Sequence, residues 1–350
     1  MTIDGVDRTF GAHDCVYATA GWGIHDERWV SALLEVGFTP HVISLGRDVP
    51  DALELRQAVT AAAAGGLPVL AGPLHTVTRP LADLPIRLVG LSWGYDLHAF
   101  DAADADLSWI AGLDGLVVDS DANRAIATKA GLAPERITFL PWGVDLAQFP
   151  FHAPWIDAFQ LGVPPHAHLV LSLRAHEEIY RVGDIIEAFA RVPRRPGLHE
   201  DFPDAYLIIG HSGSLTDQLK QRVKELGIAN RTRFIGSVPE HDLVPLLGRA
   251  ACYVTASEVD GTSVTLLQAM ACGTPVIAST TPGNLGWIED GVTGFTFTTG
   301  DIDALAVLMD RVNHSYPTEV VERARTVVER DADWHANLPR LRAALDGSVA

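Results

Sequence analysis

The chain has 350 residues, of which 47% are hydrophobic and 20% charged, so it is long and apolar enough for two domains with sizeable cores. Its 26 basic and 44 acidic residues leave a formal net charge of −18, which argues against nucleic acid or an anionic membrane as the main partner. The sequence has no long apolar run, so we expect no stable membrane insertion.

The cysteines and the first residues bear on the cellular compartment. Cys15, Cys252 and Cys272 are scattered and form no C-x-x-C pair, so we expect them to be buried thiols in a reducing environment. The N-terminal residues are acidic and do not resemble a signal peptide. Both observations predict a cytoplasmic protein.

The first elements alternate between strand and helix. A strand is predicted at 15–18, and after the loop Gly21–Gly23 an amphipathic helix is predicted from about Ile24 to Val36, followed by a second strand at 41–45. This order is typical of a Rossmann-type opening. The glycine pair is too short for the dinucleotide fingerprint, so it supports nicotinamide binding only weakly. His25, in the first turn of the helix, either faces a ligand or simply solvates the helix start.

Aromatic and polar side chains follow a later strand of this half. The predicted strand Arg87–Leu91 leads into Trp93 and Asp96, and strand ends of this kind are where α/β sheets bind ligands. Trp93 offers a wall on which a sugar or another ring can stack. His75, after a short predicted strand at 68–71, can supply an imidazole, although a lone histidine is more often a surface or capping residue.

A segment rich in proline and histidine, Pro150–His168, separates this half from a second series of strands and helices. The second series begins with the predicted strand Leu169–Leu173, and Arg174 stands at the tip of that strand. It continues with a strand at Tyr206–Gly210 and helices around it. The alternation of strands and helices in both halves predicts two α/β domains with parallel sheets.

The most informative stretch is Ala256–Ser279. Asp260 and Gly261 form a turn after an apolar run of strand length, and Thr262 or Ser263 can cap the helix that follows. Leucine and methionine then recur at helical spacing up to a Gly-Thr-Pro stop, and a new strand begins directly after it. The stretch is therefore predicted to be a strand–loop–helix–strand unit of a parallel sheet.

The start of this helix is suited to an anion. The N–H groups of residues 262–265 would face the anion, and the helix dipole favours negative charge there. Gly261 lets a ligand approach the backbone, Asp260 lies near the strand tip, and Gln268 lies about two turns into the helix. The same residues also fit a generic βαβ unit with polar side chains on its solvent side.

This stretch resembles the signature of the retaining glycosyltransferases of family 4, which is Glu, seven residues, Glu, and then Ala-Met-Ala-x-Gly-x-Pro-Val. The chain has Gln-Ala-Met-Ala-Cys-Gly-Thr-Pro-Val in register. Asp260 stands at the first acidic position, which in the family contacts the donor sugar, and Gln268 stands at the second, which contacts the ribose diol. Aspartate keeps the charge, and glutamine can still bond hydroxyl groups. Glu258 is a rival for the sugar-facing acid, at a different spacing from Gln268.

Further segments resemble the same family in the same order. Arg174 matches an arginine that grips the donor phosphates, and Arg181 is the nearest cation to the position of a lysine that this chain lacks. The Phe-x-Gly-x-Val turn that contains Gly236 and Val238 matches the turn whose backbone meets the nucleotide base. Trp93 replaces a histidine that faces the family's cleft, and this is a departure from the pattern.

The resemblance implies an α/β fold of the GT-B type, with two Rossmann-like, doubly wound parallel-sheet domains facing a cleft. We expect an N-terminal, acceptor-binding domain at 1–150 and a C-terminal, donor-binding domain at 151–330. A final helix at 331–350 is expected to cross back to the N-terminal domain. The resemblance also implies the activity of a retaining glycosyltransferase, which moves a sugar from a nucleotide-sugar to a soluble acceptor such as a sugar or a natural-product intermediate.

The resemblance further implies no metal and no cofactor apart from the co-substrate, a UDP-, GDP-, ADP- or dTDP-sugar. The catalytic residues that it implies are Asp260 and Arg174. The residues expected to bind the donor are Gly23, Arg174, Arg181, Gly210, Gly236, Val238, Asp260, Gly261, Thr262, Ser263, Val264 and Gln268. The acceptor-side candidates are His25, His75, Trp93 and Asp96.

Two other classes of function stay open at this point, and so does the oligomeric state. One is another GT-B activity, such as a sugar-nucleotide epimerase or a phosphorylase, although no lysine stands in a convincing pyridoxal-binding context. The other is a non-catalytic sugar-nucleotide sensor, which the missing lysine, the missing histidine and the two replaced glutamates favour.

Overall fold

The computed structural model describes residues 13–103, 105–154, 156, 158–193 and 205–348. The chain divides into two compact units: unit one contains residues 1–141 and 335–350, and unit two contains residues 142–334. Each unit is built on a six-stranded sheet in which the paired strands run parallel. The predicted fold class, α/β with two Rossmann-like parallel sheets, is confirmed.

Unit one has the strand order β2-β1-β3-β4-β5-β6. Its strands are β1 Asp14–Ala20, β2 Thr39–Leu45, β3 Val69–Ala71, β4 Leu88–Leu91, β5 Gly115–Val118 and β6 Ile137–Phe139. Its first helices are α1 Ile24–Glu35, α2 Ala52–Ala62, α3 Arg79–Leu81, α4 Tyr95–Ala102 and α5 Asp121–Lys129, with a π-helical turn at Leu74–Thr78. The strand order reverses between β1 and β3, so the loops after these two strands meet at one edge of the sheet.

Unit two has the strand order β12-β11-β10-β7-β8-β9. Its strands are β7 His168–Ser172, β8 Ala205–Gly210, β9 Thr232–Gly236, β10 Cys252–Thr255, β11 Val276–Ser279 and β12 Phe295–Phe297. Its helices are α6 Val182–Arg191, α7 Thr216–Glu225, α8 Glu240–Arg249, α9 Val264–Cys272, α10 Pro282–Leu285, α11 Ile302–His314 and α12 Thr318–Asp331. Here the order reverses between β7 and β10, which places the ends of these two strands side by side.

The core of unit two lies on both faces of its sheet. Successive side chains of a strand point to opposite faces, so Leu169 and Leu171 of β7 belong to one buried cluster while Val170 belongs to the other. Helix α9 packs on the first face through residues such as Leu266 and Met270. Because both faces of the sheet are covered, most residues of these strands are apolar. This almost continuous apolar pattern allowed the strands to be predicted from the sequence.

The C-terminal segment forms two short helices, α13 Trp334–Asn337 and α14 Pro339–Asp346, where a single final helix was expected within 331–350. Pro339 explains the break, since proline can start a helix but lacks the N–H needed in a helix interior. From His335 onward the segment belongs to unit one, where Arg342 Nη1 donates to the Val36 carbonyl oxygen at 2.8 Å.

Short 3-10 turns complete the described part of the chain, at Ser108–Gly112, Pro134–Arg136, Ala158–Leu161, Glu178–Tyr180 and Ala229–Arg231. All three cysteines are buried and free, as predicted from their spacing. Among the helices of the described residues, none combines the length and apolar character needed to traverse a bilayer.

Candidate functional site

The stretch 256–279 folds into the predicted unit of loop, helix and strand after β10. Helix α9 begins at Val264 with Ser263 at the N-cap position, and Gly273 ends it in the left-handed conformation with φ 82°. The Ser263 side chain does not cap the helix. Its hydroxyl instead accepts a hydrogen bond from Arg174 Nη1 at 3.1 Å. The first turn of α9 therefore carries no side-chain cap, which leaves that end of the helix suited to an anion.

Arg174 and Asp260 form the centre of the candidate site. Arg174 follows β7 and Asp260 follows β10, and these neighbouring strands bring Nη2 of the arginine to 2.8 Å from Oδ2 of the aspartate. The two side chains are only 14% and 12% exposed. The guanidinium also lies 4.2 Å from the ring centroid of Tyr180, and its Nε has no hydrogen-bond partner among the described residues. The structure thus joins the two predicted catalytic residues directly.

The surroundings shift the proton equilibrium of the aspartate. Burial raises the pKa of Asp260, and the charge and hydrogen bond of Arg174 oppose that increase. The hydroxyl of Ser257 lies 3.4 Å from Oδ2 and supports the charged form as well. A carboxylate that is largely removed from water and held by a single guanidinium interacts strongly with any new charge placed beside it.

A network of buried polar groups supports the turn at Asp260. Ser279 Oγ donates to the Ser257 carbonyl oxygen at 2.7 Å, and Asn284 Nδ2 donates to the Ser279 carbonyl oxygen at 2.9 Å. A Cβ atom on Gly283 would collide with the carbonyl oxygen of Gly261, so only glycine lets α10 pack this closely on the turn. Sequence reasoning missed this support. In the sequence, this network is indicated only by the Thr-Pro pair at 281–282, which is typical of a helix start.

Arg181, the second predicted phosphate cation, is already held by two carboxylates. Its Nε lies 2.7 Å from Asp184 Oδ2, and its Nη1 bonds Glu258 Oε1. Its backbone is left-handed with φ 48°, a conformation that L-residues seldom adopt. The backbone N–H of Glu258 donates to the Ile179 carbonyl oxygen at 2.9 Å. Two ion pairs, Arg174–Asp260 and Arg181–Glu258, therefore join the same two loops.

Three more of the predicted donor residues, Gly210, Gly236 and Val238, lie at or directly after the ends of β8 and β9 in unit two. Gly210 and Gly236 end β8 and β9 and pair across the sheet, and a Cβ on Gly210 would clash with the Leu173 side chain. The Val238 side chain would lie 3.3 Å from that Cβ. Gln268 is partly buried in α9. Gly210, Gly236 and Val238 form a corner of the site. Since parallel strands end at one edge of a sheet, this corner and the Arg174–Asp260 pair belong to one surface of unit two.

His176 was not predicted, and it holds this corner together. It is fully buried, with Nδ1 at 2.9 Å from Thr216 Oγ1 and Nε2 at 3.1 Å from the Gly210 carbonyl oxygen. Burial lowers the pKa of His176, which favours the neutral imidazole that can donate from one nitrogen and accept at the other. No motif or spacing in the sequence marks such a contact with a distant backbone carbonyl.

In unit one, a buried carboxylate shapes the loop after β1. The Gly23 N–H donates to Asp26 Oδ2 at 2.8 Å. The other oxygen of Asp26 accepts from Tyr17 at 3.0 Å and from Thr19 at 2.5 Å, and the residue is only 2% exposed. Asp26 therefore fixes the loop and the start of α1.

The acceptor-side candidates of unit one fall into separate environments. The rings of His25 and Trp93 meet edge-on with centroids 5.9 Å apart. Asp96 is buried and accepts hydrogen bonds from Ser92 Oγ at 2.6 Å and from the Trp93 N–H at 3.1 Å, so it holds the turn that presents the tryptophan. His75 is exposed, on the π-helical turn. The structure thus brings His25 and Trp93 together.

The second unit matches a known family. Residues 155–327 fit the family model described as Glycosyl transferases group 1. The matched segment contains both members of the Arg174–Asp260 pair and the whole of α9. Over this segment the chain is similar to the Glycosyl transferases group 1 family.

Several curated proteins are similar to this chain in sequence. The D-inositol 3-phosphate glycosyltransferase of Saccharomonospora viridis is 30% identical over 233 residues, which cover 65% of this chain and 52% of that protein. A glycogen synthase of Mycobacterium tuberculosis is 28% identical over 215 residues, which cover 61% and 49%. The chain spans about half the length of the curated relatives it matches.

Solved structures share the fold over nearly the whole chain. Anabaena HepE in complex with UDP-glucose has a TM-score of 0.75 at 17% identity, and the match covers 95% of this chain and 99% of that one. Sucrose-phosphate synthase from Thermosynechococcus elongatus has a TM-score of 0.74 at 16% identity, covering 94% and 97%. At such low identity the likeness establishes the fold, which is GT-B.

Proposed function

We propose that this protein is a retaining glycosyltransferase of the family 4 type, which moves a sugar from a nucleotide-sugar to a small acceptor that carries a hydroxyl group. The observation that carries the proposal is the largely buried Arg174–Asp260 pair beside the uncapped start of α9, where the strand order of unit two reverses. The arginine and the helix N-terminus can bind the diphosphate of such a donor, on which negative charge develops as it leaves. The carboxylate lies at the same edge of the sheet and can bind the sugar.

In the proposed mechanism, Arg174 and the first N–H groups of α9 bind the donor diphosphate. The bond between the anomeric carbon and the phosphate oxygen breaks, and negative charge develops on the leaving diphosphate. Stabilising this charge is the main catalytic demand, because fixed donors act most strongly where charge appears in the transition state. The acceptor oxygen attacks from the face that the phosphate leaves, and its proton passes to the phosphate oxygen.

Asp260 has a separate role in this mechanism. Its carboxylate accepts hydrogen bonds from donor-sugar hydroxyls and stabilises positive charge at the anomeric carbon. The ion pair with Arg174 holds the carboxylate in place and favours its charged form against the effect of burial, which raises the pKa of Asp260. Gln268 bonds the ribose hydroxyls, and the corner at Gly210, Gly236 and Val238 receives the base.

The related proteins suggest which substrates to test first. HepE was solved with UDP-glucose, so UDP-sugars are the first donors to examine. The relatives named D-inositol 3-phosphate glycosyltransferase and glycogen synthase suggest hydroxyl-rich acceptors. On the acceptor side we propose the paired rings of His25 and Trp93 as the contact surface of unit one. His75, on the acceptor side, and Gly23, on the donor side, also stay predictions.

We expect Gln268→Leu to raise the donor KM roughly five- to tenfold, since hydroxyl groups of the ribose would lose a neutral hydrogen-bond partner. Gln268→Glu should be tolerated, because a carboxylate accepts from the same hydroxyls. Donor titrations of both variants, with circular dichroism as a check on folding, measure this effect. An unchanged KM in Gln268→Leu would remove the residue from the donor site.

We expect Glu258→Gln to strengthen binding of inorganic diphosphate about threefold or more, because it releases Arg181 from one carboxylate and removes a negative charge near the phosphates. The matched control is Glu187→Gln, since Glu187 pairs with Arg222 elsewhere in unit two and the charge change is the same. Calorimetric titration at constant ionic strength compares them. If wild type and both variants bind inorganic diphosphate with equal affinity, then Arg181 does not leave Glu258 to bind the phosphates.

The test of the proposed function is a donor assay with UDP-, GDP-, ADP- and dTDP-sugars and a mixed panel of hydroxyl acceptors, followed by mass spectrometry. A glycosyltransferase releases the nucleoside diphosphate and adds the mass of one sugar to an acceptor. The second candidate, a non-catalytic sugar-nucleotide sensor, is favoured by the two carboxylates that hold Arg181. A sensor would bind a donor without consuming it, and an epimerase would change the sugar without any transfer.

A further inference from the structure

Unit two contains a cavity at the edge of its sheet opposite to Arg174 and Asp260. This cavity of 690 Å³, here called the basal cavity, is bordered by His168, the first residue of β7, and by Ala251, which directly precedes β10. Arg174 and Asp260 follow the other ends of the same two strands. The two sites are therefore separated by roughly 13 Å, the length of a five-residue strand. No role proposed for the Arg174–Asp260 site involves this cavity.

The lining of the basal cavity differs in charge from the rest of the chain. It includes Arg249 and three histidines, His152, His166 and His168, and among the described residues no aspartate or glutamate lines it. The whole chain, by contrast, has a formal net charge of −18. A cavity with this lining attracts anions in preference to cations.

The basic side chains are held in position by contacts of their own. Arg249 Nη2 donates to the carbonyl oxygens of Pro165 at 2.9 Å and Ala167 at 2.5 Å, which fixes the loop that carries His166. Burial lowers the pKa of Arg249, so its guanidinium is partly stripped of water. His152 has a left-handed backbone with φ 58°, and its ring lies 4.1 Å from that of Phe151. Unusual backbone of this kind is concentrated at ligand sites.

Asn313, on α11, adds an independent observation. It lines the cavity and is only 3% exposed, yet neither its amide nitrogen nor its amide oxygen has a hydrogen-bond partner in the described part of the chain. Leaving both groups of a buried amide unpaired is unfavourable, and such a group calls for an explanation. A ligand that offers a hydroxyl group, which can both donate and accept, would supply the missing partner.

We propose that the basal cavity binds a small phosphate ester that also carries hydroxyl groups. Its phosphate oxygens would bond Arg249 and the histidines, because guanidinium and imidazole groups are good partners of phosphate. Its hydroxyl would bond Asn313. The volume of the cavity falls in the range of sites for small organic ligands. This site is independent of the proposed transferase function, so either assignment can fail without the other.

The test uses glycerol 3-phosphate as the probe and isothermal titration of the full chain at constant ionic strength. We expect wild type and Arg174→Gln to bind it alike, because the probe does not depend on the Arg174–Asp260 site. Asn313→Leu should abolish binding, and His152→Asn should weaken it about tenfold by removing one cation or donor. Asparagine is chosen at 152 because it tolerates a left-handed backbone. Inorganic phosphate should bind more weakly than the ester, and glycerol should not bind.

Thermal unfolding without ligand gives a second readout that a purely structural role of Asn313 would not produce. Replacing an unpaired buried amide by leucine should leave Tm unchanged or raise it. Should Asn313→Leu fail to fold, the amide is needed for stability, which overturns its role as a ligand group, and His152→Asn then decides on the cavity. The proposal is overturned if the probe shows a Kd above about 10 mM. It is equally overturned if binding disappears in Arg174→Gln but persists in Asn313→Leu, or if phosphate and its ester bind alike.

Discussion

Asp260→Asn is expected to lower kcat roughly ten- to a hundredfold at saturating donor, with a smaller rise in donor KM, since a hydrogen bond to a charged group is worth about 1.5–3 kcal/mol. The charge of the carboxylate matters most where positive charge develops at the anomeric carbon, so its loss acts on the transition state more than on the bound donor. Asparagine keeps the shape of the side chain and can still form the turn before α9.

The control for this variant is Asp303→Asn, which removes the same charge from an exposed ion pair with Arg191 in the same unit. Its kinetics should match those of wild type. If Asp260→Asn keeps a near wild-type kcat, then Asp260 serves only the turn and the ion pair, and Glu258 becomes the candidate for the sugar-facing acid.

Arg174→Ala is expected to lower kcat/KM at least tenfold through the lost phosphate contact. It should also lower the free energy of unfolding by about 3 kcal/mol, because Asp260 would remain largely buried without its counter-charge. The expected stability loss follows from the ion pair between Arg174 and Asp260 that the structure shows. Chemical denaturation and steady-state kinetics measure the two effects separately.

The matched control here is Arg191→Ala, whose ion pair with Asp303 is exposed and should contribute little. The double variant Arg174→Ala/Asp260→Asn should recover part of the lost stability, because the uncompensated charge is gone. A wild-type kcat/KM in Arg174→Ala would refute the phosphate role, whatever happens to stability.

Local patterns explain how much could be predicted from the sequence. The apolar periodicity and the Gly-Thr-Pro stop located α9 and β11 correctly, since both depend on residues close in the chain. The Ser263 side chain was expected to be able to cap α9, and it bonds Arg174 instead. That contact exists only because β10 lies beside β7 in the sheet, and strand neighbours of this kind are not encoded in any local pattern.

The supporting residues were missed for a related reason. His176 and Gly283 act through backbone groups of distant segments, the Gly210 carbonyl and the Gly261 carbonyl. A sequence motif records residue types, whereas these contacts depend on where the backbone of another segment lies. The same limit applies to Arg181, whose charge was visible but whose two carboxylate partners were not.

The most direct test of the account is the anomeric configuration of the product, read by proton NMR after transfer from the donor that the panel identifies, beginning with UDP-glucose. We expect transfer to an acceptor hydroxyl with the same configuration at the anomeric carbon as in the donor, and a strong reduction of this product in Asp260→Asn and Arg174→Ala. A product of inverted configuration, or undiminished transfer in both variants, would contradict it.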